Sequence, residues 1–196
     1  MTTAYQHNTR TTRGRRFLAA TAVAATVAAV TAGCAKDNKA APPPLSPTAS
    51  PSTSTDLQAT EKAKVLAAYD SFWGETVKAY AAGSDKDTKL VNFAANSALD
   101  DALTDIANMQ KAGTTMQGSP GHRAEATAFN PSGEHPKATV TDCLDISTWQ
   151  TVERATNKIQ PYPTEQPLRY VAIAEVEQWA GQWMVVRMTP NGDRTC

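Results

Sequence analysis

Apolar residues recur at three- and four-residue steps after Asp56. Val65, Leu66, Tyr69, Phe72, Trp73, Val77 and Tyr80 fall on one face of a helix. Asp56 is placed to cap its start, with Glu61 in the early turns, and Gly83 is placed to stop it. Gly74 lies inside the pattern as a point of bending. A second helix is predicted over 88–111. Leu90, Val91, Ala94, Ala98, Ala102, Ile106 and Met109 line one side of it, widened by Leu99 and Leu103. Asp100, Asp101 and Asp105 lie mostly opposite, and Gly113 ends the run.

The period then changes. His122 to Phe129 alternates polar and small apolar residues, as a strand does, and Pro131-Ser132-Gly133 is a turn. Lys137 to Ile146 places Ala138, Val140, Asp142 and Leu144 on one face and Thr139, Thr141, Cys143 and Asp145 on the other. The segment from Trp149 to Ala155 continues or restarts that strand, and the three prolines between Ile159 and Pro167 mark a loop. Arg169 to Trp179 and Gln182 to Met188 are rich in Val, Trp, Tyr and Met, and Ala180-Gly181 joins them as a tight hairpin. Helices followed by consecutive antiparallel strands predict an α+β domain over 56–196.

The chain ahead of this domain has a different character. Arg10, Arg13, Arg15 and Arg16 precede a run from Phe17 to Val30 that is apolar or small. Thr31-Ala32-Gly33 then leads into Cys34. A basic region, a short apolar region and small residues make a secretory signal peptide over 1–33. Phe17–Gly33 is at the short end for a permanent membrane span, and it is mostly Ala. Small residues closing on Cys34 resemble the bacterial lipoprotein box, although Thr31 stands where that pattern prefers Leu. The resemblance implies that Cys34 is acylated and becomes the mature N-terminus, anchoring the protein to the membrane. Arg15-Arg16-Phe17-Leu18 resembles a twin-arginine export signal without its usual spacer residue, so the Sec and twin-arginine routes both stand.

Residues 34–55 read as a tether. Pro42, Pro43, Pro44, Pro47 and Pro51 sit among Ser, Thr and Ala, and Leu45 is the sole large apolar side chain there. Such a composition buries no core and favours extended chain. The twenty residues 36–55, at up to ~3.1 Å each, reach at most about 60 Å.

Cysteine and charge narrow the compartment further. The cysteines are Cys34, Cys143 and Cys196. With Cys34 lipidated, an exported chain has two left, and Cys143–Cys196 is the pairing that remains for one structural disulfide. Neither cysteine has a CxxC partner or a nearby His. The whole chain carries nineteen basic and nineteen acidic residues. Removing residues 1–33 takes away four arginines and no acid, which leaves fifteen against nineteen, a net charge of −4. No basic tract of the mature chain fits nucleic acid.

The segments AAYDSFWGETVKAY, ATVTDCLDISTW and RYVAIAEVEQWAGQWMVVRM, in that order, resemble the nuclear-transport-factor-two-like cone fold. More narrowly they resemble exported proteins and lipoproteins of actinobacteria with Thr-Asp-Cys-x-Asp-x-x-x-Trp on a middle strand and a last Cys. Thr141, Asp142, Cys143, Asp145, Trp149 and Cys196 stand at those places. The resemblance implies helices wrapped by a curved sheet. It implies little chemistry, because that group mostly lacks an assigned activity.

Candidate chemistry is sparse. His122 and His135 read as solvated loop residues, and their isolation gives no metal-ligand spacing. No GxSxG, Gly-rich phosphate loop or HExxH is present. Asp142 shares a face with Val140 and Leu144, and cone-fold isomerases use a pocket carboxylate as base. It reads more simply as the partner of an Arg or of backbone N–H groups beside the disulfide. Tyr69, Trp73 and Trp149 are candidate pocket walls and, more simply, core. Trp179 and Trp183 flank the hairpin turn, which leaves at least one of them partly exposed. No catalytic set, metal site or cofactor is implied. The expected function is an anchored, non-catalytic module binding an envelope protein or a small apolar ligand. A small-molecule isomerase or dehydratase using Asp142 and a structural subunit of an envelope complex are the alternatives. The oligomeric state stays open.

Overall fold

The computed structural model describes residues 53–196. The signal peptide, Cys34 and the tether up to residue 52 lie outside the described residues. The first helix, α1, runs Thr53–Ala82, and a 3-10 turn follows at Leu90–Asn92. The second helix, α2, is Asn96–Ala112. Six strands complete the chain: β1 Thr114–Gln117, β2 Ala124–Asn130, β3 Lys137–Asp145, β4 Gln150–Glu153, β5 Arg169–Trp179 and β6 Gln182–Asn191. The class is α+β, as the change of period predicts.

Helix α1 buries the expected stripe. Val65 and Tyr69 are fully buried, and Phe72, Trp73 and Tyr80 nearly so. The helix starts three residues before Asp56, which therefore sits in the first turn rather than at the cap. It passes through Gly74 as one element, and it ends at Gly83, where φ is +63°. That left-handed value suits glycine.

The second predicted helix is divided. Leu90–Asn92 forms a 3-10 turn, Ala94 bridges Val185, and Ala95 is extended before α2 begins. The competing demand is the edge of β6. Val185 N donates to Phe93 O at 2.8 Å, and Ala95 N donates to Val185 O at 2.9 Å. These bonds satisfy backbone groups of an edge strand that a continuous helix would leave open. Val91, expected on the apolar face, is 55% exposed. Past the break the pattern holds: Ala98, Ala102 and Ile106 are buried, and Gly113 caps α2 at φ +68°.

The main sheet is antiparallel with order β2-β3-β5-β6. In β3, Ala138, Val140, Asp142 and Leu144 are buried, and Thr139, Thr141, Cys143 and Asp145 are partly exposed. The β5–β6 hairpin turns at Ala180-Gly181, both with positive φ, the pairing a two-residue hairpin favours. Strand β4 restarts after β3 and pairs with β1 in a separate two-stranded sheet. Strand β1 is an addition to the predicted elements: four residues, TTMQ, carry too little pattern to be read as a strand.

Cys143 and Cys196 form a disulfide with Cα atoms 5.8 Å apart. Cys143 lies opposite Val171 of β5, whose N–H donates to Arg194 O at 2.8 Å. One covalent bond and one hydrogen bond thus hold the residues after β6 against neighbouring positions of β3 and β5. Among the described residues, no helix is long and apolar enough to cross a membrane.

Candidate functional site: a buried carboxylate and its imidazole

Asp142 is fully buried on the inner face of β3. Its neighbours across the strands are Ala124 on β2 and Ala172 on β5. Two small side chains leave the space above Asp142 to α1, and Tyr69 fills it. The Tyr69 hydroxyl donates to Asp142 Oδ2 at 2.9 Å. Arg123 N donates to Oδ1 at 2.7 Å, and His122 Nδ1 lies 2.8 Å from Oδ2. A carboxylate only accepts, so the proton of this last contact belongs to Nδ1. The fixed point is a buried acid with three donors, the arrangement that makes a buried charge tolerable.

The expectation for Asp142 therefore holds in part. It caps a backbone N–H beside the disulfide-bearing residue, but its side-chain partners are Tyr69 and His122 rather than an arginine. The arginine pairing falls to Asp145, three residues on and facing the other way, whose Oδ2 is 3.5 Å from Arg169 Nε. Hydrogen bonds from Ser147, side chain first and then backbone, hold the Asp145 carboxyl below its usual range, with Arg169 and Arg123 assisting.

His122 lies in the loop before β2 and is exposed as a residue, as expected, while its side chain, 25% exposed, is also paired with Asp142. The signal lies in the alternation, since His122, Ala124 and Ala126 fall on one face at a period of two, the face that carries Asp142 in the next strand. His135 is also partly buried, with Nδ1 3.2 Å from Gln178 O.

Aromatic rings surround the pair. Trp73 lies 5.1 Å from the His122 ring by centroids, and Tyr69 meets that ring edge-on at 6.1 Å. Trp149 meets Trp73 edge-on at 5.7 Å and stacks on Tyr80 at 5.5 Å. Asp142, Tyr69, Trp73 and Trp149 are thus brought together as a packed cluster. Trp73 Nε1 and Trp149 Nε1 are buried and, among the described residues, have no hydrogen-bond partner. Edge-to-face indoles at this spacing are the geometry in which an N–H faces a π-system. Burial, then the Asp142 charge, pushes the Tyr69 hydroxyl far above its ordinary pKa, and Trp73 opposes the shift.

Two surface clefts lie elsewhere. One, of about 310 Å³, is lined by Lys64, Ser71, Phe93, Gln182 and Trp183 among others, between α1 and the β5–β6 turn. The other, of about 490 Å³, is bounded by Pro163, Pro167, Tyr170 and Pro190. Neither is lined by Asp142, Tyr69, Trp73 or Trp149. Trp183 is buried and donates through Nε1 to Glu61 Oε2 at 3.2 Å, while Trp179 is partly exposed. Among the described residues, no group of three or more His, Cys, Asp or Glu is placed to hold a metal ion.

No family model matches the chain, and no curated protein matches it. Among solved structures, the chain is similar to the intermembrane space region of chloroplast protein ARC6. The likeness has 10% identity and a TM-score of 0.43 and covers 67% of this chain and 96% of that one. It is too slight to bear on fold detail or activity.

Proposed function

We propose that the protein is an exported lipoprotein, held by acylated Cys34 on the extracytoplasmic face of a cell membrane. Its domain acts there as a non-catalytic binding module for an envelope protein or a small apolar ligand. The observation that carries the reading is the use of the cysteines. Cys143 and Cys196 are bonded to each other, as suits an oxidising compartment, and Cys34 is the odd thiol of the three. Its place after Thr31-Ala32-Gly33 supports lipidation. The cone-type fold and the actinobacterial affinity belong to the same proposal. They are supported by the Thr-Asp-Cys-x-Asp segment, by α1 packed on β2, β3 and β6, and by register shifts in β2–β3 and β5–β6 that favour a strongly twisted sheet. The cleft beside Phe93 and Trp183 is the surface offered for a ligand.

The alternatives fare unequally. A structural subunit would be favoured by an apolar patch on the sheet. The exposed large apolar residues described are Val91, Ile159 and Leu168, all outside the strands. An enzyme using Asp142 as base meets a direct obstacle, because both carboxylate oxygens are already engaged.

Intact mass of the protein from its native membrane fraction tests the anchored reading. The expected species begins at Cys34, carries acyl chains, and gains two alkylated thiols only after reduction. An unlipidated mass, or thiols alkylated before reduction, overturns it.

A further inference from the structure

We propose that the cleft between the proline-rich loop before β5 and the end of β6 binds a small alkylammonium ion. The inference goes beyond the binding reading. It concerns a different cleft from the one beside Phe93 and Trp183, and it does not depend on the anchor. Its first support is the chemistry of the walls. The cleft holds about 490 Å³, within the range of small-molecule sites. Pro163, Pro167 and Pro190 line it with saturated rings, and Tyr170 lines it with an aromatic one. Glu165 is the sole charged side chain among the lining residues. Carbon walls with one carboxylate suit a cation that is weakly hydrated and itself rich in carbon. An aromatic ring attracts such a cation over its face.

The second support is the charge around the cleft. Among the described residues, the ion pairs of lysine and arginine are made with acids other than Glu165. Arg169, next to Tyr170 in the chain, is turned to Asp145. Asp193 and Arg194, which follow Gly192, bring one charge of each sign. The carboxylate therefore gives the cleft its sign. A metal ion would need more oxygen ligands than one carboxylate among proline rings supplies.

The third support is rigidity. Proline fixes φ on both sides of the cleft. Gln166 N donates to Pro163 O at 3.0 Å, which closes the loop on itself. Ile146 N donates to Leu168 O at 2.8 Å, which ties the end of the loop to the residue after β3. The facing wall is held by Arg194 O, which accepts from Val171 N at 2.8 Å, and by the Cys143–Cys196 disulfide. A ligand thus meets walls already in place and avoids the cost of ordering them. Gly192 keeps the space open. A Cβ there would stand 3.7 Å from Pro167 Cγ, in ordinary contact, and the backbone φ is not in the left-handed region. A longer side chain would therefore take up cleft space without straining the chain.

The probe is choline chloride, titrated into the purified full chain and followed by the amide NMR shifts of Gln166 and Tyr170. Its neutral isostere, 3,3-dimethylbutan-1-ol, is the control. Choline should give a saturable shift and bind on the order of 10-fold more tightly than the alcohol, the scale of a cation–π contact. Glu165→Gln should weaken choline about two- to fivefold, the worth of an exposed charge pair. Tyr170→Phe should bind as the wild type does, and Tyr170→Leu should lose on the order of 10-fold. Gly192→Leu should abolish binding while near-UV circular dichroism stays that of the wild type. No saturable shift, or equal affinity for choline and the alcohol, overturns the proposal. So does choline binding that is unchanged in Gly192→Leu. Attachment to phosphatidylcholine vesicles without binding of free choline also overturns it.

Discussion

Tyr69 and Asp142 are 73 residues apart in the chain and joined by a 2.9 Å hydrogen bond, with neither side chain exposed to solvent. One lies mid-helix on α1 and the other mid-strand on β3, so the bond ties the two layers at the centre of the core. Removing the hydroxyl leaves Asp142 with one donor fewer in a site that water does not reach. Tyr69→Phe should cost about 1.5–3 kcal/mol, the worth of a hydrogen bond to a charged group. Urea denaturation measures it, and a variant as stable as the wild type would remove the bond from the account.

The tyrosines give the pH dependence its sign. Burial, followed by Asp142 for Tyr69 and Asp105 for Tyr80, raises both hydroxyls far above the ordinary value, and burial raises Tyr162 and Tyr170 as well. A folded value above the unfolded one means the neutral phenol is favoured by the fold. Their contribution is complete below about pH 10, the unfolded value. It is lost as pH climbs from there toward the folded values. Ultraviolet titration should show Tyr69 and Tyr80 ionising only together with loss of near-UV circular dichroism. Smooth ionisation of all tyrosines near pH 10 in a folded protein would contradict this.

The disulfide spans a sequence separation of 53. The chain-entropy model assigns a loop of that size about 4 kcal/mol. Cys143→Ser with Cys196→Ser should lose an amount of that order in denaturant unfolding. The released residues after β6 should also become the first backbone to exchange amide hydrogens. Unchanged stability would mean that packing alone holds them.

Gly118 sits between β1 and the loop that carries His122, with φ at +82°. A Cβ there would run into Thr148 O. Both the backbone region and the space exclude a side chain, so Gly118→Ala should cost about 1–3 kcal/mol. The thermal midpoint reads the effect, and no change would show that the loop relocates freely.

Much of the fold is legible in the sequence because its elements are long and periodic. The α1 stripe, the alternation of β3 and the Ala180-Gly181 turn each report local geometry directly. The division of the second helix is not local. Leu90, Val91 and Ala94 continue a helical spacing, and only the unpaired edge of β6, some ninety residues later, draws Phe93–Ala95 out of it. The same holds at the site. Asp142 stands out as an acid on an apolar face, and Tyr69, Trp73 and Trp149 as its aromatic company. His122 stands just ahead of β2 after Pro120-Gly121, and its pairing emerges only once β2 is laid beside β3 in register, with Ala124 opposite Asp142.

Asp142 carries the central claim, which is that its carboxylate is consumed in holding α1 and the segment entering β2 to β3 rather than kept free for chemistry. Urea unfolding of Asp142→Asn with the disulfide intact tests this most directly. The substitution keeps the shape but replaces one acceptor oxygen by a donor, facing N–H and O–H groups that have no other partner. The account predicts a loss of about 3–5 kcal/mol, the cost of breaking a buried polar pair from one side. A variant within about 0.5 kcal/mol of the wild type, the range of an inconsequential surface change, would contradict it.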